Sequence, residues 1–222
     1  MRAGTVFPLV LAAALSLAPL AVAGRVEGAP ALEAGTSDEQ TPPLEAGGPG
    51  EEPLPLKAGT FSPARMAPDF RLRGSDGQEL TLERFRGKVV VIFFGFTNCP
   101  AVCPTTLSTL ARARKQLGAD AEQVQIVYVT VDPERDTEAR MREYLGGFDA
   151  TFVGGTGSED QLAAVRRDFG ISATRENVGA SYMYSHSAST HLIDPAGRLV
   201  ALMPYGQSAE DYVHDLRILL RK

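Results

Sequence analysis

From residue 61 onward the apolar and polar positions fall into alternating strand-like and helix-like patterns, which the first sixty residues lack. Residues 89–96, VVVIFFGF, are an unbroken apolar run, the pattern of a strand buried on both faces of a sheet. Residues 125–131, QIVYVTV, predict the next central strand. Between them Leu107, Leu110, Ala111 and Leu117 recur at helical spacing over 104–117, with Gly118 placed to close the helix. Asp136 is expected to cap a helix reaching about residue 145, and Ser158 with Gln161 makes a capping box for another reaching residue 169. Two hairpins are signalled, one around Ser75-Asp76-Gly77 and one around Pro195-Ala196-Gly197. The stretch 171–189 is polar and irregular. A final helix over 208–220 gathers Tyr212, Val213, Leu216, Leu219 and Leu220 on one side and turns His214 to solvent. Strands and helices alternating at this spacing predict an α/β fold, an open sheet with crossover connections.

The N-terminal part reads differently. Arg2, the apolar stretch 6–22 and the small-x-small ending Ala21-Val22-Ala23 make residues 1–23 a secretory signal peptide, with an uncleaved membrane anchor as the alternative. Residues 24–60 are rich in Gly, Pro and Glu and too poor in aromatics to offset the entropy of ordering, so they are expected to be a disordered tether ahead of a domain spanning 61–222. Placement is then periplasmic or on the outer face of the cytoplasmic membrane, with membrane contact only through the first segment. The formal charge is −5, and three basic against seven acidic residues precede residue 61. No basic excess exists to neutralise phosphates, which excludes nucleic acid as a partner.

The chemistry concentrates on the two cysteines of the chain, in N-C-P-A-V-C-P, just after the most apolar strand and at the start of a helix. A helix N-terminus favours thiolate over thiol. Three readings of Cys99 and Cys103 stay open. A structural disulfide is ordinary in an exported protein, but so short a loop stabilises little. A redox-active dithiol is the second. Metal ligation by two thiolates and an imidazole is the third; His186, in YMYSHSAST, lies in the insertion that should pack near the cysteine loop. Such a soft, roughly trigonal set suits copper, whereas structural zinc would want a fourth protein ligand. His191 lies among core residues and is expected to be structural. In D-P-E-R-D-T, residues 132–137, Pro133 and Asp136 are explained by a turn and a cap, which leaves Asp132 and Arg135 as groups that could support a metal ligand or a docking partner.

The runs FFGFTNCPAVCPTTL, VDPERDT and YSHSASTHLIDPAGRL, in this order, resemble the Sco/SenC proteins over essentially all of residues 61–222. The resemblance implies a thioredoxin-like fold with an N-terminal hairpin and a hairpin insertion before the last strands. It implies one copper per chain, held by Cys99, Cys103 and His186, and a partner in the cytochrome c oxidase subunit that carries the CuA centre; another copper carrier is a further candidate partner. Two positions depart from the family's pattern: Ala101 stands where an acidic residue is common between the cysteines, and Ser185 where an Asp commonly precedes the histidine. Both remove negative charge beside the expected metal.

A thiol-disulfide oxidoreductase and a redox or copper sensor compete for the same residues, since fold does not decide function. Three residues separate the cysteines, not the two of thioredoxin-type motifs. Ser189 stands where thioredoxin-like enzymes resemble one another in having a cis proline. A nearby histidine serves a metal better than it serves disulfide exchange. These features favour a metallochaperone over an enzyme.

Overall fold

The computed structural model describes residues 55–221; the expected signal peptide and most of the expected tether lie outside them. Eight strands make the main sheet: β1 (Gly59–Met66), β2 (Leu72–Gly74), β3 (Glu79–Leu80), β4 (Val89–Gly95), β5 (Val124–Thr130), β6 (Val153–Thr156), and, after a separate hairpin of β7 (Ala173–Val178) and β8 (Ser181–His186), β9 (Thr190–Ile193) and β10 (Arg198–Met203). Their order is β1-β10-β9-β4-β5-β6-β2-β3. The helices are α1 (Val102–Leu117), α2 (Glu138–Gly146), α3 (Glu159–Asp168) and α4 (Ala209–Leu219).

The two apolar runs form β4 and β5, both buried along their whole length and paired in parallel from Val89 opposite Val124 to Gly95 opposite Thr130. A parallel pair needs a crossover, and α1 supplies it. Side chains of β4 alternate between two cores. Val89, Val91 and Phe93 pack with Leu107 and Leu110 of α1, Met141 of α2 and Leu216 of α4. Val90, Ile92 and Phe94 pack with Leu162 of α3, Phe169 and Leu80. Covered on both sides, the sheet can only be approached at its rims.

The rim at the carboxyl ends of β4 and β5 matters most. Phe93, near the end of β4, pairs with Thr190, which pairs with Met203 of β10, and the adjacent Leu202 pairs with Gly59. β1 therefore begins at the rim where β4 ends. This edge strand starts two residues ahead of the expected domain boundary, and the buried Ala58 precedes it. Lys57 and Ala58 donate their backbone N–H groups to the fully buried carboxylate of Asp215 on α4, at 2.8 and 2.9 Å.

Two further differences from the sequence reading have clear causes. The polar stretch 171–189, irregular by its pattern alone, is mostly the regular hairpin β7–β8, the insertion that the family resemblance implies, with Ala173 opposite His186 and Val178 opposite Ser181. Asp136 does not cap α2. Thr137 does, its side chain accepting from the Arg140 N–H at 3.2 Å, and this frees Asp136 to turn inward.

Candidate metal centre

Gly95 ends β4, and the chain turns through Thr97 and Asn98 to Cys99 before α1 begins. The Cys99 N–H bonds back to the Phe96 carbonyl at 3.1 Å, fixing the turn. Cys103 is the second residue of α1 and fully buried, while Cys99 is half-buried; both are free thiols. Pro104 fits the first helical turn, where its missing donor goes unused. The Cys103 N–H points at the Cys99 sulfur, 3.5 Å away, so one of the unused amides at the helix start serves that sulfur. The two sulfurs differ electrically. The Cys103 thiol holds the Cys99 thiol far below its usual range, to about 3, against the opposing effect of burial. The Cys103 thiol is pushed up by Cys99 and by its own burial.

His186, the last residue of β8, brings its Nε2 to 3.7 Å from the Cys103 sulfur. Its Nδ1 lies 2.8 Å from the Ser187 carbonyl, which can only accept. The proton therefore sits on Nδ1, and the Nε2 lone pair faces the sulfurs. Phe96 and Phe93 flank the ring, with centroids at 5.9 and 6.4 Å. The ligand atoms of Cys99, Cys103 and His186 all lie within 4.8 Å of one another.

The hairpin that carries His186 is fastened by the D-P-E-R-D-T segment. Tyr182 of β8 is sandwiched between guanidinium groups, Arg135 at 3.8 Å and Arg175 at 3.6 Å from its ring centre. Its hydroxyl meets the carboxylates of Asp132 and Glu134 at 3.0 and 3.1 Å. Arg135 pairs with the fully buried Asp132 and donates to the Tyr182 carbonyl at 3.2 Å; Arg175 pairs with Glu134 at 2.8 Å. Asp132 and Arg135 thus act on the hairpin rather than on the sulfurs.

On the other side of the loop, Asp136 accepts from the Thr97 N–H at 3.0 Å and from the hydroxyls of Thr97 and Thr130, each at 2.6 Å. It ties the turn before Cys99 to the end of β5. Burial pushes its carboxyl up, against these donors. Tyr182, Thr97 and Thr130 were missed in the sequence, where no periodicity or motif marks them. His191 is buried between Phe94 and Phe169, at 5.7 and 5.4 Å, and pairs with the Phe169 carbonyl at 3.1 Å. His214 is half-exposed beside Asp215, at 2.9 Å. Neither joins the cysteines. Ala101 and Ser185 are both exposed next to the site.

The sequence model of the SCO1/SenC family matches residues 58–221. The chain belongs to the SCO1/SenC family. Among its SCO1/SenC relatives, the mitochondrial SCO2 homologue of Mus musculus is 37% identical over 153 residues, which is 67% of this chain but 60% of the mouse protein. The structure of Bradyrhizobium japonicum ScoI with copper bound superposes with a TM-score of 0.66 at 33% identity, covering 70% of this chain and 99% of that one. The solution structure of apo Sco1 from Thermus thermophilus gives 0.68 at 35%, covering 74% and 97%. The thioredoxin-like fold of the family is the fold found here.

Proposed function

We propose that Cys99, Cys103 and His186 bind one copper ion per chain, and that the protein hands this copper to the subunit carrying the CuA centre while a cytochrome c oxidase is assembled. The carrying observation is the His186 Nε2 at 3.7 Å from the Cys103 sulfur, with its lone pair free because Nδ1–H is engaged by Ser187. Two thiol sulfurs and one neutral imidazole are a soft donor set, which fits copper. Copper bound to a relative of this family, the ScoI of Bradyrhizobium japonicum, supports the reading. Export by residues 1–23 and a tether over 24–60 belong to the same proposal, since the acceptor lies outside the cytoplasm; among the described residues no helix is long and apolar enough to cross a membrane.

The test is metal analysis of the reduced protein titrated anaerobically with copper, joined to a gene deletion. One copper per chain is expected, and the deletion strain is expected to lose oxidase activity that added copper partly restores. Failure to bind copper would end the reading.

A second reading, reduction of the acceptor's cysteines, is favoured by the two free cysteines, whose sulfurs lie within 4.8 Å of one another and can close to a disulfide as they give up two electrons. Complementation separates the two. Rescue of the deletion strain by His186→Ala, which keeps both sulfurs, would favour thiol chemistry, whereas its failure would favour delivery.

A further inference from the structure

We propose that the Tyr128 hydroxyl donates a hydrogen bond to the Cys103 sulfur once that sulfur is a metal-bound thiolate, and so tunes the sulfur as a ligand. The inference rests on the copper reading and extends it to a residue outside the ligand set. Tyr128 lies on β5, and its side chain is fully buried against α1 and α2. Its hydroxyl is sealed from solvent and has no hydrogen-bond partner among the described residues. A buried hydroxyl left unpaired destabilises a fold, and phenylalanine would fill the same space without that penalty. The position therefore asks for an acceptor.

Gly95 shows where the acceptor is. A methyl group built on its backbone would lie 2.7 Å from the Tyr128 hydroxyl and 2.8 Å from the Cys103 sulfur. The hydroxyl and the sulfur thus crowd one point, left open because β4 ends in a glycine. The neighbouring Tyr144 does not satisfy Tyr128: the ring centres are 6.2 Å apart and the Tyr144 hydroxyl also lacks a partner. A neutral thiol is a weak acceptor, but a thiolate is a strong one, so the contact gains strength when the site is loaded. Each sulfur then has its own donor, the Cys103 N–H for Cys99 and the Tyr128 phenol for Cys103. Donors of this kind withdraw electron density from a ligand and adjust the metal it holds. Tyr128 is on this account a positioning residue, not a ligand.

Tyr128→Phe in the full chain tests it. The variant should bind one copper, and its metal-free form should melt at the same temperature as the parent or higher, since an unpaired hydroxyl is gone. The sulfur-to-Cu(II) charge-transfer band should move to longer wavelength and the copper midpoint potential should fall, because the sulfur has become more electron-rich. An unmoved band and potential would overturn the proposal, whatever the melting temperature does. Should the parent itself bind no copper, the copper reading falls and the hydrogen bond with it; a parent that binds copper while band and potential stay unmoved in the variant leaves the copper reading standing and removes only the hydrogen bond.

Discussion

Cys99, Cys103 and His186 are separable in their effects because each occupies a different environment. Cys99→Ser, Cys103→Ser and His186→Ala should each weaken copper binding by more than about a hundredfold, the upper end of what losing a supporting neighbour costs. His214→Ala should leave affinity unchanged, since that ring is engaged with Asp215. Competition with a chelator of known affinity measures both, and copper retention in His186→Ala would remove the imidazole from the site. His191 gives a different signature. Burial holds its pKa down, from 6.5 to about 4, and its Nδ1 has no partner among the described residues. The folded protein keeps it neutral while the unfolded chain takes up a proton, so its contribution is complete above pH 6.5 and is lost as pH falls through 4. The loss is on the order of 3 kcal/mol. Urea unfolding between pH 7 and 4 should show this fall, and His191→Phe should flatten it; an equal fall in both proteins would place the proton elsewhere.

The hairpin β7–β8 is the element on which the third ligand depends, and Tyr182 is what fastens it. Tyr182→Ala removes both guanidinium stacks and both carboxylate contacts, so copper affinity should drop toward that of His186→Ala. Combined with His186→Ala it should cost nothing more, because the hairpin then carries no ligand to misplace. Additive losses in the chelator assay would mean that Tyr182 acts through the core instead. Elements with strong patterns were legible in the sequence: β4 and β5 from their apolar runs, α1 from its period, α3 from its capping box, found as expected with Ser158 and Gln161 reciprocally bonded. Two strands of the main sheet were not. β6 reads VGGT, and its glycines look like a loop, yet they are required by packing, since a methyl on Gly155 would stand 2.6 Å from Leu80. β1 is broken by Pro63 and shifts register between Thr60 and Arg65, which an edge strand tolerates. At the site, the cysteines stood out by their spacing. His186 was a candidate from its place in the insertion expected near the cysteine loop, and the resemblance to a family made it the ligand, for a polar hairpin has no periodicity that shows which ring turns inward.

For the molecule as a whole, the folded body includes residues that composition assigns to the tether. A chain beginning at residue 61 loses the Lys57 and Ala58 donors and leaves the Asp215 carboxylate buried with His214 as its remaining side-chain partner. Hydrogen bonds to charged groups are each worth about 1.5–3 kcal/mol, so such a chain should be less stable than one beginning at residue 55 by roughly 3 kcal/mol. Asp215→Ala should cost the longer chain a similar amount and the shorter one much less. Equal urea midpoints for the two lengths would show that residues 55–60 only decorate the surface. The place where β1 enters the sheet has a mechanical consequence. β1 is three strands from β4, about 14 Å at the usual spacing. If residue 58 is the pivot on which the body swings, the sulfurs ride on a short lever arm at the same rim. Rotation of the body about that point then displaces them little.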